Sequence, residues 1–256
     1  MIQDVAKGAH MAIVKKFSIG VTPVSKMFRV HGLGGAAVDA VVRLRTKALS
    51  GEAFTDVGMN AERTAYQLTT PGKTSTFEVK EDSIIFSKDY YESQSSFDFG
   101  KVLDEFRVLW TALNSVLEIQ DIRRVGMVAE HRFQPSTEGS SSNWLRGNLT
   151  TLDSKMVSDK FLLQFEEREY ARDGIAPDPK KSDFINYIYH FYDSEIDASH
   201  PLEGSINANL DVQRYFAPVH NGNVSDEILK LHKHFESAQK RLDAKMKSLG
   251  AIYGKK

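Results

Sequence analysis

Two rhythms of apolar and polar positions run along this chain, and the clearest change between them falls within Asp98 to Phe133. Val102, Phe106, Leu109, Trp110, Leu113, Val116 and Leu117 recur at steps of three and four, which makes one continuous stripe on a helix. Lys101, Asp104, Glu105 and Arg107 face away from it, and Asp98 is placed to accept from the first free amides. From Ile122 to Phe133 the period becomes two. Val125, Met127, Ala129, His131 and Phe133 share one face of a strand; Arg124, Gly126, Val128, Glu130 and Arg132 share the other. A helix apolar on one side must lie on something, and the adjoining strand predicts a sheet.

The same reading extends outward from this unit. Ala12 to Gly20 reads as a short extended or edge segment. His31-Gly32-Leu33-Gly34-Gly35 reads as a flexible turn leading into a strand over Val38 to Lys47, with Val38, Ala40, Val42 and Leu44 on one face. Phosphate-binding glycines open a helix, and this spacing does not fit GxGxxG. Thr64 to Thr70, Thr74 to Lys80 and Ser83 to Tyr90 are three short strands turned at Pro71-Gly72-Lys73 and Glu81-Asp82. Pro135 to Ser142 is a polar loop and the best boundary between halves. Trp144 to Leu152 reads as a short helix docking Trp144 and Leu149. Lys160 to Tyr170, Asp183 to Asp193 and Ser205 to Gln213 follow as strands, with a loop over Ala171 to Lys181. A final helix starts at Ser225 as N-cap, stops at Gly250, and carries the stripe Ile228, Leu231, Phe235, Ala238, Leu242, Met246 and Leu249.

These elements predict an α+β fold, a largely antiparallel sheet covered by two long amphipathic helices. It divides either into two similar strand–strand–strand–helix halves, residues 11–134 and 143–250, or forms one continuous domain. Residues 1–10 stand apart. Gly8-Ala9-His10-Met11 reads as an expression junction with Met11 as native start, or as part of a short native leader.

Composition narrows the function classes. The absence of cysteine removes disulfides, thiolate metal sites and a cysteine nucleophile, and fits a reducing cytoplasm. A net charge of −1 gives no overall pull toward nucleic acid or anionic lipid. No apolar run reaches the roughly 20 residues of a membrane helix. There is no GxSxG elbow, Walker loop or HExxH helix.

Four groups of residues are candidates for chemistry. His131 lies on the apolar face of its strand and Glu130 on the other, so the two cannot pair, and a buried core histidine is the simpler reading. His190, Tyr192 and Asn186 share the less apolar face of theirs. With Asp193, Glu195, Asp197 and His200 they are the densest group of ligating types, but without a metal-site spacing, so no metal or cofactor is expected. His232 and His234, two apart on a helix, cannot chelate one ion and flank a core seam. Arg123, Arg124, Arg132 and Arg146 could meet a phosphate or carboxylate, although Glu130 interrupts the patch and disfavours nucleic acid.

Trp110 followed by Arg124-Val125-Gly126, then Asp211 and Leu231-His232 with Phe235, resembles a family of uncharacterised, sporadically distributed prokaryotic proteins of similar length. Met127-Val128 departs from the continuation expected after the glycine. The resemblance implies no catalytic residues and, by analogy, an accessory, mobile-element or phage-defence role. The chain is thus expected to be a non-catalytic binding or assembly protein, self-associating or taking a protein partner. The alternatives are an enzyme or small-ligand protein with a helix–sheet pocket lined by Arg124, His131, Arg132, His190 and Tyr192, and a nucleic-acid accessory factor using Arg124 and Arg146.

Overall fold

A computed structural model describes residues 14–48, 52–90, 97–135, 140–151, 160–169, 183–193, 205–220 and 222–253. The elements run β1 (Val14–Pro23), α1 (Arg29–Ala48), β2 (Asp56–Met59), β3 (Ala65–Thr69), β4 (Ser75–Lys80), β5 (Ile84–Asp89), α2 (Phe99–Leu117), β6 (Ile122–Pro135), α3 (Ser141–Leu149), β7 (Leu162–Glu169), β8 (Phe184–Asp193), β9 (Ile206–His220), α4 (Val224–Ser248) and β10 (Ala251–Tyr253). The described strands form one open antiparallel sheet in the order β2-β3-β4-β5-β1-β6-β9-β8-β7, and β10 pairs with the end of β6 beyond β1. The fold is α+β. A single sheet passes through both segments that the polar loop was expected to divide. Of that loop, residues 136–139 lie outside the described residues, as do residues 1–10 and the loop at 171–181.

The cross-strand register gives the sheet two unlike faces, because paired residues point the same way. Phe17 pairs with Ala129, Ile19 with Met127, Met127 with Val212 and Val212 with Tyr187, all buried and all on one face. The three long helices cover that face. Phe235 of α4 meets Phe17 edge-on at 5.5 Å, and Phe99 of α2 meets it at 6.1 Å. Lys88, on the same face of β5, reaches Glu105 of α2 at 2.5 Å. Gly34 of α1 lies against the ring of Tyr66, which follows Val21, Ile84 and Val79 across the sheet. The stripe of α4, from Ile228 to Met246, is buried here and covers its own sheet.

Three expectations need correction. The stretch over Val38 to Lys47 is helical, and the glycine cluster lies inside that helix rather than in a turn, so long helices number three among the described residues. Val30, Gly34, Ala37, Val38 and Val41 are buried, a helical stripe that the local alternation of valines disguised. Ala12 to Gly20 does not lie at an edge, for β1 is held between β5 and β6. The N-cap of α4 is Asn223, whose side chain accepts from Ser225 N at 3.0 Å.

Two neighbouring glycines in α1 are expected to respond with opposite signs. A Cβ on Gly34 would stand 2.3 Å from Cε2 of Tyr66, a ring only 6% exposed, while Gly35 has nothing within 4 Å. Overpacking costs about 1–3 kcal/mol, against about 1 kcal/mol gained in helix propensity. Urea denaturation should find Gly34→Ala destabilised by about 1 kcal/mol and Gly35→Ala stabilised by about 0.5–1 kcal/mol. Equal shifts in the two variants would contradict the packing of α1 on β3.

Candidate functional site: the open face of the sheet

The second face of the sheet is polar across its central strands. Along β6 it presents Arg124, Gly126, Val128, Glu130 and Arg132. Their partners on β9 are Tyr215, Gln213, Asp211, Asn209 and Asn207, and β8 adds Phe184, Asn186, Ile188, His190 and Tyr192. Strand alternation puts these residues on the face opposite α1, α2 and α4, where Phe184, Asn186, Asn207 and Gln213 are buried and the others part-exposed. In the middle Gly20 of β1 pairs with Gly126 of β6. Neither glycine has a positive φ, and their effect is to leave the centre bare of side chains.

Arg124 is fixed by its neighbours. Its guanidinium donates to Thr22 Oγ1 at 3.1 and 3.2 Å, to Gln213 Oε1 at 3.2 Å and to Tyr215 Oη at 3.2 Å. It also lies 5.6 Å above the Tyr215 ring, which stacks on Phe184 at 4.6 Å, and Arg168 of β7 stands 5.5 Å over Phe184. The result is a cation–ring–ring–cation ladder across four strands. Arg132 Nε donates to Ser205 Oγ at 2.6 Å.

The acceptors beside these arginines are less well supplied. Gln213 Nε2 donates to Asp211 Oδ2 at 2.5 Å, whereas the buried Oδ1 has no donor among the described residues. Burial pushes the Asp211 carboxyl up to about 6, against the opposing pull of Gln213 and Arg124, and Glu166 adds to the rise. Glu130 is likewise raised, first by burial, with Asp89 adding to the rise and Lys16 and Arg132 opposing it. Asn186, Asn207 and Asn209 each keep a buried Oδ1, and His190 a buried Nε2, with no partner among the described residues. Polar atoms that have lost water without gaining a bond are high in free energy, by about 1–3 kcal/mol each.

Of the residues singled out from the sequence, Arg124, Arg132, His190 and Tyr192 share this face, and the rings of His190 and Tyr192 lie 4.9 Å apart. His131 does not. It is fully buried on the helix-covered face, with Nδ1 3.2 Å from the carbonyl oxygen of Ala208, and burial lowers it to about 4. The pocket expected to unite His131 with His190 therefore does not form. Arg146 stands on α3, which packs against β8, β6 and β9. Asp193 is engaged by Ser142 Oγ at 2.5 Å and Phe161 N at 3.1 Å, and Glu195, Asp197 and His200 lie outside the described residues. Among the described residues no group of three or more His, Asp or Glu side chains could hold a metal ion, and no helix is long and apolar enough to cross a membrane.

The row Asn207, Asn209, Asp211 and Gln213 was legible as the outward side of its strand, but nothing local marked it as continuous with Arg124 and His190. That follows from the pairing of β6 with β9 and of β9 with β8. Compared with protein-family models and with curated proteins, the chain matches none of them.

Proposed function

We propose that this protein is a non-catalytic binding protein, that its recognition surface is the open sheet face, and that the occupant is a cationic, donor-rich segment of a protein partner. The observation that carries this is a shortage of donors. Asp211 and Glu130 make no ion pair among the described residues, and Arg124, beside Asp211, is hydrogen-bonded to the neutral oxygens of Thr22, Gln213 and Tyr215. An arginine or lysine from a partner, docked beside the part-exposed Asp211 and Glu130, would supply charge to both carboxylates. Nucleic acid fits poorly, since Asp211, Glu130 and Glu166 would face its phosphates. Self-association through the seam of α4 is disfavoured because that seam is occupied by the chain's own sheet. The accessory or mobile-element role stays with the family resemblance at Trp110, Arg124-Val125-Gly126 and Leu231-His232.

We also infer two repeats of a unit longer than the three strands and a helix expected from the sequence. Strand, helix, a run of strands, helix describes β1, α1, β2 to β5 and α2, and β6, α3, β7 to β9 and α4, the first unit carrying one more strand, β2, at the sheet edge. In support, β1 pairs with the last strand of its unit, β5, and β6 with the last of its own, β9. The two first strands meet at the centre of the open face, so an occupant would span both units.

A hexa-arginine peptide titrated calorimetrically into the full chain tests the proposal. Saturable binding is expected, weakened about tenfold by Asp211→Asn, a loss of about 1.4 kcal/mol. Asp104→Asn, on α2 and 74% exposed, should change nothing. Equal binding by all three proteins would sink the assignment to this face.

A further inference from the structure

We propose that a second site, on the helix-covered side of the molecule, binds the phosphate group of a small molecule. It is the cleft of about 570 Å³ between α4 and the outer strands β7 and β8, with Lys233, His234, Ser237 and Arg241 on one wall and Glu167, Glu169 and Tyr187 on the other. Its volume is that of a small-ligand pocket, for which about 300–1,000 Å³ is usual. On α4 the residues Lys233, Ser237 and Arg241 are spaced by four, so helical periodicity aligns them along one edge.

The charges in this cleft are unevenly matched. Tyr187 Oη donates to Glu169 Oε2 at 2.7 Å, and His234 Nδ1 lies 3.0 Å from that hydroxyl and 3.2 Å from the same carboxylate oxygen. Glu169 is therefore committed to Tyr187 and His234. Arg241 packs 5.3 Å over the Tyr187 ring and reaches only the hydroxyl of Tyr189, at 3.5 Å. Neither Arg241 nor Lys233 forms an ion pair among the described residues, although both line the same cleft. Arg168 also lines the cleft but pairs with Glu166 at 3.0 Å, and Glu167 stands there without an ion pair among the described residues, so Lys233 and Arg241 outnumber the uncommitted carboxylate and, with a serine hydroxyl between them, suit an anion with oxygens on several sides. A phosphate satisfies both, whereas a carboxylate leaves one cation unmatched. Burial and Glu169 raise Tyr187, so it remains a phenol that holds Glu169 through its hydroxyl at neutral pH.

Inorganic phosphate titrated into the full chain at low ionic strength, followed by amide chemical shifts, tests this site. Saturable shifts are expected around His234 and Tyr187. Lys233→Gln and Arg241→Gln, both exposed positions, should each weaken binding about tenfold with folding unchanged. No saturable shift in the cleft, or binding unchanged in both variants, would overturn the proposal. Acetate binding as tightly as phosphate would overturn the assignment to phosphate. The open sheet face is not involved, so hexa-arginine binding should survive both substitutions.

Discussion

Asp211→Asn should make this protein more stable at pH 7. The carboxyl of Asp211 is raised from 3.8 to about 6, so the folded state holds its proton more tightly than the unfolded chain does. Between those values stability falls as pH rises, and above pH 6 the folded protein carries the full cost of an ionised, under-bonded carboxylate. A shift of this size corresponds to about 3 kcal/mol, and an asparagine that still accepts from Gln213 should recover about 1–3 kcal/mol of it. His131 works in the opposite sense. Burial lowers it from 6.5 to about 4, so the unfolded chain binds the extra proton and stability is lost as pH falls from 6.5 to 4. In the wild type the two effects offset each other in this window. Asp211→Asn removes one side of that balance, so its stability should drop between pH 7 and pH 4 by about 3 kcal/mol more than that of the wild type. Denaturant midpoints at pH 7 and pH 4 for both proteins measure this. A variant no more stable than wild type at pH 7 would mean that Asp211 has a donor after all. A carboxylate that costs stability where it stands fits a group used for binding.

Phe17→Ala should be the most damaging single truncation in the core. Its ring is fully buried in the central strand β1 and lies 4.8 Å from Phe97, 6.1 Å from Phe99 and 5.5 Å from Phe235. It touches both α2 and α4 and so ties the two helices to one strand. Truncating a buried phenylalanine costs about 3–5 kcal/mol, a large part of the stability of a typical domain. Phe28→Ala, at a side chain 73% exposed, should stay within about 0.5 kcal/mol of wild type. A double-mutant cycle of Phe17→Ala with Phe235→Ala should give a coupling of about 0.5–1.5 kcal/mol, as edge-on aromatic pairs do. Strict additivity would mean that α4 does not rest on β1.

What the sequence made legible follows from where the information is local. The helix α2, the helix α4 and the strands β6, β8 and β9 were readable because each carries a long regular pattern. The strand β1 is extended as its sequence suggests, but its central place is hidden because Lys16, Ser18, Gly20 and Thr22 look like edge residues. They face the polar side of a central strand, where Ser18 Oγ meets Ser87 Oγ at 2.8 Å and Gly20 meets Gly126. The helix α1 was misjudged because glycine argues against helix, and the reason for Gly34 is Tyr66, a residue far along the chain. Strand pairing governs the candidate site in the same way. Arg124, Arg132, His190 and Tyr192 could be named from their strands, but their union with Asp211 and Gln213 requires β9 to insert between β6 and β8. The cleft was invisible for the same reason, since Tyr187 and His234 lie on separate elements and each looked ordinary in its own.

The most direct test of the open face as a cation-binding surface is the titration of the Asp211 carboxyl, followed by carbon NMR with and without hexa-arginine. A guanidinium docked beside Asp211 favours the ionised form, so its midpoint should fall from about 6 toward the ordinary carboxylate range once the peptide is bound. A midpoint that stays where it is at saturating peptide would contradict the proposed recognition surface.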